Sequence, residues 1–559
     1  MSVNAAQTGG DAEKNIQEQE VDVEKNNYDA NVADEEPEYI NAHQSVGLAV
    51  IEQQTIIPTT GARKVTTKKE YWAYVLWFVL GQGVGVGNYG SAVQQALLNQ
   101  AFPSGFVEWG GRYLPLNSMI LDLTGILFAV QVVCLVLIGP YADYGNWRPY
   151  ILQFFTFILC ATTLGFAGLK NGSDWQVANF LYILGSVALN VANSFYFAIF
   201  PGLVRDLPKM IESEQAVLNG TRRPEEHARL DMLERSKLYN ITNIVSSAIC
   251  LVLLGMATGV AYKIGTATQE QLDLGYRVLV GTFGAVNVIC CIPWFVYEQY
   301  RPGQQLPKNT NFLSAGPKQL WQAAKYAKGL KQSIIYLVAF FILQDVLGTA
   351  GTVVGILQNK TINFSTMGFS GLTLILYLGG GGGTIIANWI QQRWKISVKT
   401  MLIIGVVFQL LPLVWGMIGN WTTKVGFHHT WEFWANSCYN VTGGFWGSYS
   451  IIMITEVVPA PKMYLFMALF NCVGKTSAFI GPFIGSAIIA RAGGNTNAAY
   501  YFLLPFALVG FGALLMINTD QAKIDNALFL EAESQDLYEH TAQMEKDIPV
   551  VQVAPMIVH

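Results

Sequence analysis

From Tyr71 onward the chain alternates long apolar runs with short polar breaks, and the runs exceed anything a soluble core requires. A helix needs about 20 predominantly apolar residues to cross the hydrocarbon of a bilayer. Twelve runs meet that length: Tyr71–Val93, Pro115–Gly139, Tyr150–Leu169, Gln176–Pro201, Leu238–Tyr262, Tyr276–Val296, Gln332–Leu357, Phe369–Ile390, Val398–Gly419, Phe433–Val457, Tyr464–Ile489 and Ala499–Ile517. The pattern predicts an all-α membrane protein with twelve transmembrane helices in two six-helix halves, residues 71–296 and 332–518. A polar linker, residues 297–331, joins them. Six, linker, six is an organisation common in transporters built from repeats. Residues 1–70 are acidic, polar and nearly free of aromatics, which predicts a disordered cytosolic tail. Residues 519–559 form a second cytosolic tail.

Composition sharpens this picture. Hydrophobic residues make up 52% of the chain and charged residues only 13%, where soluble domains carry about 25%. The net charge of −4 comes with no basic patch, so a nucleic-acid partner is not expected. Lys and Arg fall on the N-terminal side of the membrane over the opposite side by roughly three to one, which places both termini in the cytosol. No basic and apolar leader is visible at the N-terminus, so the first span serves as insertion signal. The sequons at Asn171, Asn359, Asn363 and Asn420 then face away from the cytosol and test the topology. All seven cysteines lie in predicted spans, with no disulfide framework or metal-finger spacing. No nucleophile–base pair or cofactor loop occurs at usable spacing, and neither an enzyme, a metal nor a cofactor is expected.

Span one reads Gly81-Gln82-Gly83-Val-Gly85-Val-Gly87-Asn88-Tyr89-Gly90, which is not a nucleotide loop, because no strand precedes it. Small residues four apart, Gly81/Gly85 and Gly83/Gly87, instead permit close helix approach. The five glycines Gly379 to Gly383 in span eight are expected to do the same, or to hinge. The linker 206–236 and the stretch carrying Lys318, Trp321, Lys325 and Lys328 read as interfacial amphipathic helices or as plain solvated linkers. His428-His429 is a solvated loop pair or a sensor of lumenal pH.

The loop after span two, Gly139-Pro-Tyr-Ala-Asp143-Tyr-Gly145-Asn-Trp-Arg148-Pro149, resembles the signature loop of the major facilitator superfamily. In that superfamily Asp143, Gly145 and Arg148 would form a charge clamp on one access state. The second half has a degraded counterpart, with Asn388 in the place of Asp143. The resemblance implies that spans one, four, seven and ten line a central cavity and that spans two and eleven meet between the halves. Ionisable groups within a membrane are costly and are functional hypotheses by default. Asp345 in span seven is then the expected cavity carboxylate for substrate or proton, while Asp122 and Lys475 are expected to pair between halves. Gln82, Asn88, Asn190, Asn193, Asn440 and Thr442 supply neutral polar groups, and Trp446 an aromatic wall.

Thr455-Glu456-Val-Val-Pro459 and Asn471-Cys-Val-Gly474-Lys475-Thr-Ser-Ala-Phe-Ile-Gly481-Pro482 resemble the autophagy-linked vacuolar amino-acid effluxers, a branch of that superfamily. Gln344-Asp345 and Asn193-Ser-Phe-Tyr-Phe-Ala-Ile-Phe-Pro201 add to the likeness. The likeness implies alternating access in the vacuolar membrane, exporting amino acids to the cytosol. Departures from the wider family at Phe197, Gln82 and Asn88 keep a sugar or peptide carrier open as alternatives, as is a non-transporting sensor or scaffold. Glu52-x-x-x-Ile56-Ile57 resembles an acidic dileucine sorting signal.

Overall fold

The computed structural model describes residues 63–109, 111–142, 147–265, 268–301, 330–361, 366–493 and 495–547. Each of the twelve predicted spans coincides with helix. In the N-terminal half they are α1 (Lys68–Gly81) with α2 (Ser91–Ala101), α3 (Leu116–Ala142), α4 (Arg148–Ala167), α5 (Trp175–Arg205), α7 (Pro224–Ile264) and α8 (Gln269–Tyr297). In the C-terminal half they are α9 (Lys331–Thr361), α10 (Thr366–Trp394), α11 (Val398–Ile418), α12 (Thr430–Tyr439) with α13 (Gly443–Val457), α14 (Met463–Arg491) and α15 (Tyr500–Leu515). Seven described helices pass as bilayer-crossing on length and apolarity alone, or eight if the bent pair Thr430–Val457 and Ala460–Asn471 is one span. That pair turns through 120°. The number twelve therefore rests on the sequence pattern together with this match of run to helix.

Two short elements lie outside the spans. A hairpin of β1 (Phe106–Trp109) and β2 (Arg112–Pro115), antiparallel with Val107 opposite Leu114, links spans one and two. α6 (Pro208–Leu218) lies between spans four and five, where Nδ1 of buried His227 sits 2.9 Å from the Ser213 hydroxyl and holds α6 against α7. The linker 206–236 is thus largely helical, and α7, 41 residues long, begins inside it at Pro224. Residues 302–329, with the predicted basic-aromatic helix, fall outside the described residues, as does the Glu52 signal.

Both ends of the described chain lie on one face of the bundle. Arg63, ahead of α1, bonds Asp206 at the end of α5 at 2.8 Å, and Lys523, beyond α15, lies 3.6 Å from Glu456 at the end of α13. We call this the tail face and the opposite side the distal face. A last helix, α16 (Thr519–Asp547), runs along the tail face and buries Phe529 and Leu530.

The halves meet along two seams. Span five packs on span eight, and span eleven packs on spans two and four. The meeting of spans two and eleven is as expected. Apolar side chains cover the outside, among them Phe157, Phe180, Ile289 and Leu411, as a lipid-facing surface requires.

Candidate functional site

Span one breaks in mid-course. α1 ends at Gly81, a π-helical turn begins at Val84, and Gly83 between them has φ +68°, a left-handed conformation that a side chain would strain. The expected close packing is present as well: a Cβ on Gly81 would lie 2.7 Å from Asn193 Oδ1, and one on Gly85 would lie 2.8 Å from Thr163. Breaking the helix frees backbone groups, and side chains gather at them. Asn193 Nδ2 donates to the Gly81 carbonyl at 3.0 Å, and Gln82 Nε2 donates to Ser246 Oγ at 2.8 Å. Gln82 and Asn193, picked out separately, thus share one spot with Ser246 of span five. Asn193 Oδ1 is buried with no hydrogen-bond partner. Discontinuous helices that expose polar groups at mid-membrane are the usual construction of transporter sites.

Span ten breaks as well. A 3-10 turn, Asn440–Thr442, separates α12 from α13. Asn440 Nδ2 donates to the Leu376 carbonyl of span eight at 2.9 Å, and the Thr442 hydroxyl donates to the Tyr439 carbonyl at 3.0 Å. The turn sits in the groove left by the span-eight glycines. A Cβ on Gly383 would overlap the Val441 carbonyl, at 1.6 Å, so these glycines serve packing. Trp446 stacks on Phe340 of span seven, with ring centres 6.3 Å apart.

Below these breaks, toward the tail face, an aromatic layer joins spans one, four and five of the N-terminal half. Tyr74 and Tyr196 stack at 4.2 Å and exchange hydroxyl-to-carbonyl hydrogen bonds, with Trp77 and Phe78 against the same ring. Phe197 packs into this layer on Tyr239. Polar bonds then cross the seam. Asn240 of span five donates to Asn388 Oδ1 at 3.3 Å and to the Tyr449 hydroxyl at 3.1 Å. Tyr449 donates onward to Gln391, which in turn donates to Ser236. Asn388, the weak counterpart of Asp143, therefore binds the opposite half through a neutral bond. Arg235 of span five reaches Glu456 of span ten at 2.8 Å, and its guanidinium also donates to the Thr455 carbonyl at 2.8 Å. Asp231 holds the same guanidinium at 2.8 Å. Arg148 lies with its guanidinium carbon 5.2 Å from the Tyr464 ring centre, a contact from span three to span eleven.

Among the described residues, nothing lies within 4 Å of a Cβ position on Gly87 of span one or on Gly348, Gly351 and Gly355 of span seven.

Asp345 stands elsewhere than expected. It is 1% exposed, at the contact of α9 with α14, and its Oδ1 accepts the Gly481 amide at 2.9 Å. It does not share the site of Gln82 and Asn193. The physical reason is the direction of its Cα–Cβ bond, which faces Gly481 of span eleven. The side chains of Asn88, Asp122 and Lys475, and all of Asp143 and Gly145, lie outside the described residues. Composition and spacing missed Arg235, Glu456, Tyr449 and Ser246. Glu456 and Arg235 each stand at a span end, and treating span ends like span interiors would have singled them out.

A second set of charges gathers within the N-terminal half on the same face. Arg301 binds Glu70 through both nitrogens, at 2.6 and 3.0 Å, and Asp206 at 2.9 Å. Burial raises the Asp206 pKa, but Arg205, Arg301 and Arg63 outweigh it and hold the carboxyl below its ordinary range. Glu298 is the opposite case: burial, then repulsion from Glu70, pushes its pKa up to about 8. At the distal end of span ten, Glu432 accepts Trp415 Nε1 and the amides of Gly426, Phe427, His428 and His429, which fixes the loop that carries both histidines. Beside it, on the outer surface, Leu411, Trp415, Trp431 and Tyr439 line an apolar pocket.

The chain is similar to known proteins in sequence and in fold. The sequence profile described as "Vacuole effluxer Atg22 like" matches residues 66–527. Autophagy-related protein 22-1 of Penicillium rubens is 24% identical over 477 residues, covering 76% of this chain and 78% of the relative. Autophagy-related protein 22-2 of Emericella nidulans is 24% identical over 554 residues, covering 82% and 92%. Among solved structures, the major facilitator superfamily proton:xylose symporter XylE superposes with a TM-score of 0.55 at 13% identity, over 80% of this chain and 95% of that one. The E. coli fucose:proton symporter FucP gives 0.51 at 12% identity, over 80% and 98%. These two likenesses carry the fold, which is of major facilitator type. With the matched profile running through both halves and the closed seam between them, the chain belongs to the Atg22-like vacuole effluxers, a family of membrane transporters.

Proposed function

We propose that the protein exports small solutes, amino acids in the first place, from the vacuolar lumen to the cytosol by alternating access, as part of autophagic recycling. The observation that carries this reading is the set of bonds across the seam on the tail face among the described residues, Arg235–Glu456 above all. A fixed scaffold has no use for a charge pair split between two bundles, whereas a carrier needs contacts that form in one access state and part in the other. The positive-inside bias makes the tail face cytosolic. The structure then corresponds to a state closed to the cytosol, with solute reaching Gln82, Asn193 and Asn440 from the lumen. These neutral amides offer donors and acceptors to the amino and carboxyl groups of a zwitterion, and the Trp446–Phe340 wall offers contact to its side chain.

The test is purified full-length protein in lipid vesicles, loaded with a labelled mixture of neutral amino acids. Release is expected to exceed that from empty vesicles and to fall when unlabelled amino acids compete. Release of labelled xylose but not amino acids would overturn the substrate class. Absence of flux for either, with native oligomeric behaviour retained, would sink transport and leave the scaffold reading.

A further inference from the structure

Asp345, Thr349 and Gly481 make a second, separate constellation. Asp345 and Thr349 are one helical turn apart on α9, at 1% and 2% exposure. Both aim at Gly481 of α14. A Cβ built there would stand 2.0 Å from Thr349 Oγ1 and 2.6 and 2.9 Å from the two Asp345 oxygens. Three oxygens thus converge on one glycine, and any larger residue would drive them apart. The Gly481 amide satisfies Asp345 Oδ1. Asp345 Oδ2 and Thr349 Oγ1 are buried without hydrogen-bond partners.

A buried carboxylate lacking a counter-charge costs several kcal/mol. Among the described residues no cation bonds Asp345. The ionisable groups on the packed helices stand toward their ends: Glu432 and Tyr500 on the distal side, Glu456, Lys462 and Lys523 on the tail side. The side chains of Lys360 on α9, Lys475 on α14 and Asp122 on span two, which packs on α14, fall outside the description. The unpaired oxygen and the unpaired hydroxyl beside it have the chemistry of a proton site.

We infer that Asp345 Oδ2 binds the coupling proton, with Thr349 Oγ1 accepting the hydroxyl so formed and the Gly481 amide holding the other oxygen. The step is a simple association: carboxylate plus proton gives the neutral acid, and release reverses it. This rests on the transporter reading above. The coupling follows from α14, which packs on α9 within its own half and on spans two and four of the other. Asp345 and Gly481 keep their contact within one half; parting of the halves uncovers the face of α14 that spans two and four cover here, and water then reaches Oδ2. Proton binding neutralises the group for the dry state, and its loss belongs to the state in which that face is wet.

Two measurements on the full-length protein decide it. Infrared difference spectra of the detergent-solubilised protein, titrated with pH, are expected to show a protonated-carboxyl band that Asp345→Asn removes and that Thr349→Val displaces in frequency and in midpoint. If the wild-type spectrum contains no band lost in Asp345→Asn, the group is ionised and paired, and the proposal falls. In vesicles, the ratio of amino-acid flux with a pH gradient to flux without one is expected to drop at least tenfold, toward one, in Asp345→Asn. An unchanged ratio overturns the coupling role. Should wild type move no solute at all, the transporter reading fails instead, and the infrared band alone still decides whether the site binds a proton. Thr349→Val guards against misfolding of the Asp345 variant, since it keeps size and removes only the hydroxyl.

Discussion

The two halves carry similar charge clusters on the tail face, and they use them differently. In the N-terminal half, Asp206 ends span four and is held by Arg301, which follows span six. In the C-terminal half, Glu456 ends span ten and is approached by Lys523, which follows span twelve. The first cluster is closed within its own half: Arg63, Glu70, Asp206 and Arg301 satisfy one another. The second is left short, since Lys523 stays at 3.6 Å, and its strong partner Arg235 comes from the other half. A cluster complete in one rigid body rides along when the halves rock. A cluster completed by the neighbour must break. The difference between a brace and a gate is thus one arginine on span five.

This comparison can be broken by mutation. Glu456→Ala removes the partner of Arg235 across the seam while Asp231 stays, and is expected to destabilise the closed seam by about 2–3 kcal/mol. A cysteine placed at Ser236 in that variant should react with a water-soluble maleimide much faster than in the parent; equal reactivity would refute the gate. Replacing both partners by apolar residues, Arg235→Met with Glu456→Leu, should restore much of the thermal stability while leaving the tail face easier to open. Arg301→Ala acts on the brace and is expected to cost about 3 kcal/mol of folding stability, because Glu70 and Asp206 lose a buried partner. Its thermal unfolding should shift without a change in Ser236 accessibility. If accessibility changes as much as in Glu456→Ala, the two clusters are one device.

The smaller effects sharpen the distinction. Glu298 adjoins the brace, and its folded pKa of about 8 lies above the ordinary 4.5. For a carboxyl raised in the folded state, the folded form holds the proton more tightly. Its contribution to stability is full below pH 4.5 and is lost as pH rises through about 8. Glu298→Gln should therefore flatten the fall of the thermal midpoint across that window and leave the acid side unchanged. Lys523→Ala removes a long ion pair from a cluster that Arg235 already satisfies, and should cost less than about 1 kcal/mol. Glycosylation distinguishes two of the sequons: Asn171 is exposed, whereas Asn420 Nδ2 donates to the carbonyls of Met417 and Asn497. Modification is expected at the first in preference to the second, as a mobility shift on glycosidase treatment will show.

Spans and halves were legible because each depends on runs of apolar residues that lipid imposes locally. Gln82, Asn193, Asn440 and Trp446 were legible as polar or aromatic groups on expected lining spans. That Gln82 and Asn193 gather at one break was not, since it depends on the conformation of Gly83. Asp345 was legible as an ionisable group in hydrocarbon, but its neighbour was not. Whether a side chain on α9 faces the axis or span eleven depends on helix rotation, which packing decides.

The amino-acid order alone determined that this chain enters a membrane, folds as helices, divides into two halves and resembles the vacuolar effluxers, because hydrophobic run length and short motifs are local properties. Tertiary structure alone decided which charges belong to one half and which bridge two, and it alone set Gly481 beside Asp345. Such pairings join residues more than a hundred positions apart, as Asp345 and Gly481 are. They exist only once the helices have taken their places around a common axis, and no pattern along the chain records that rotation.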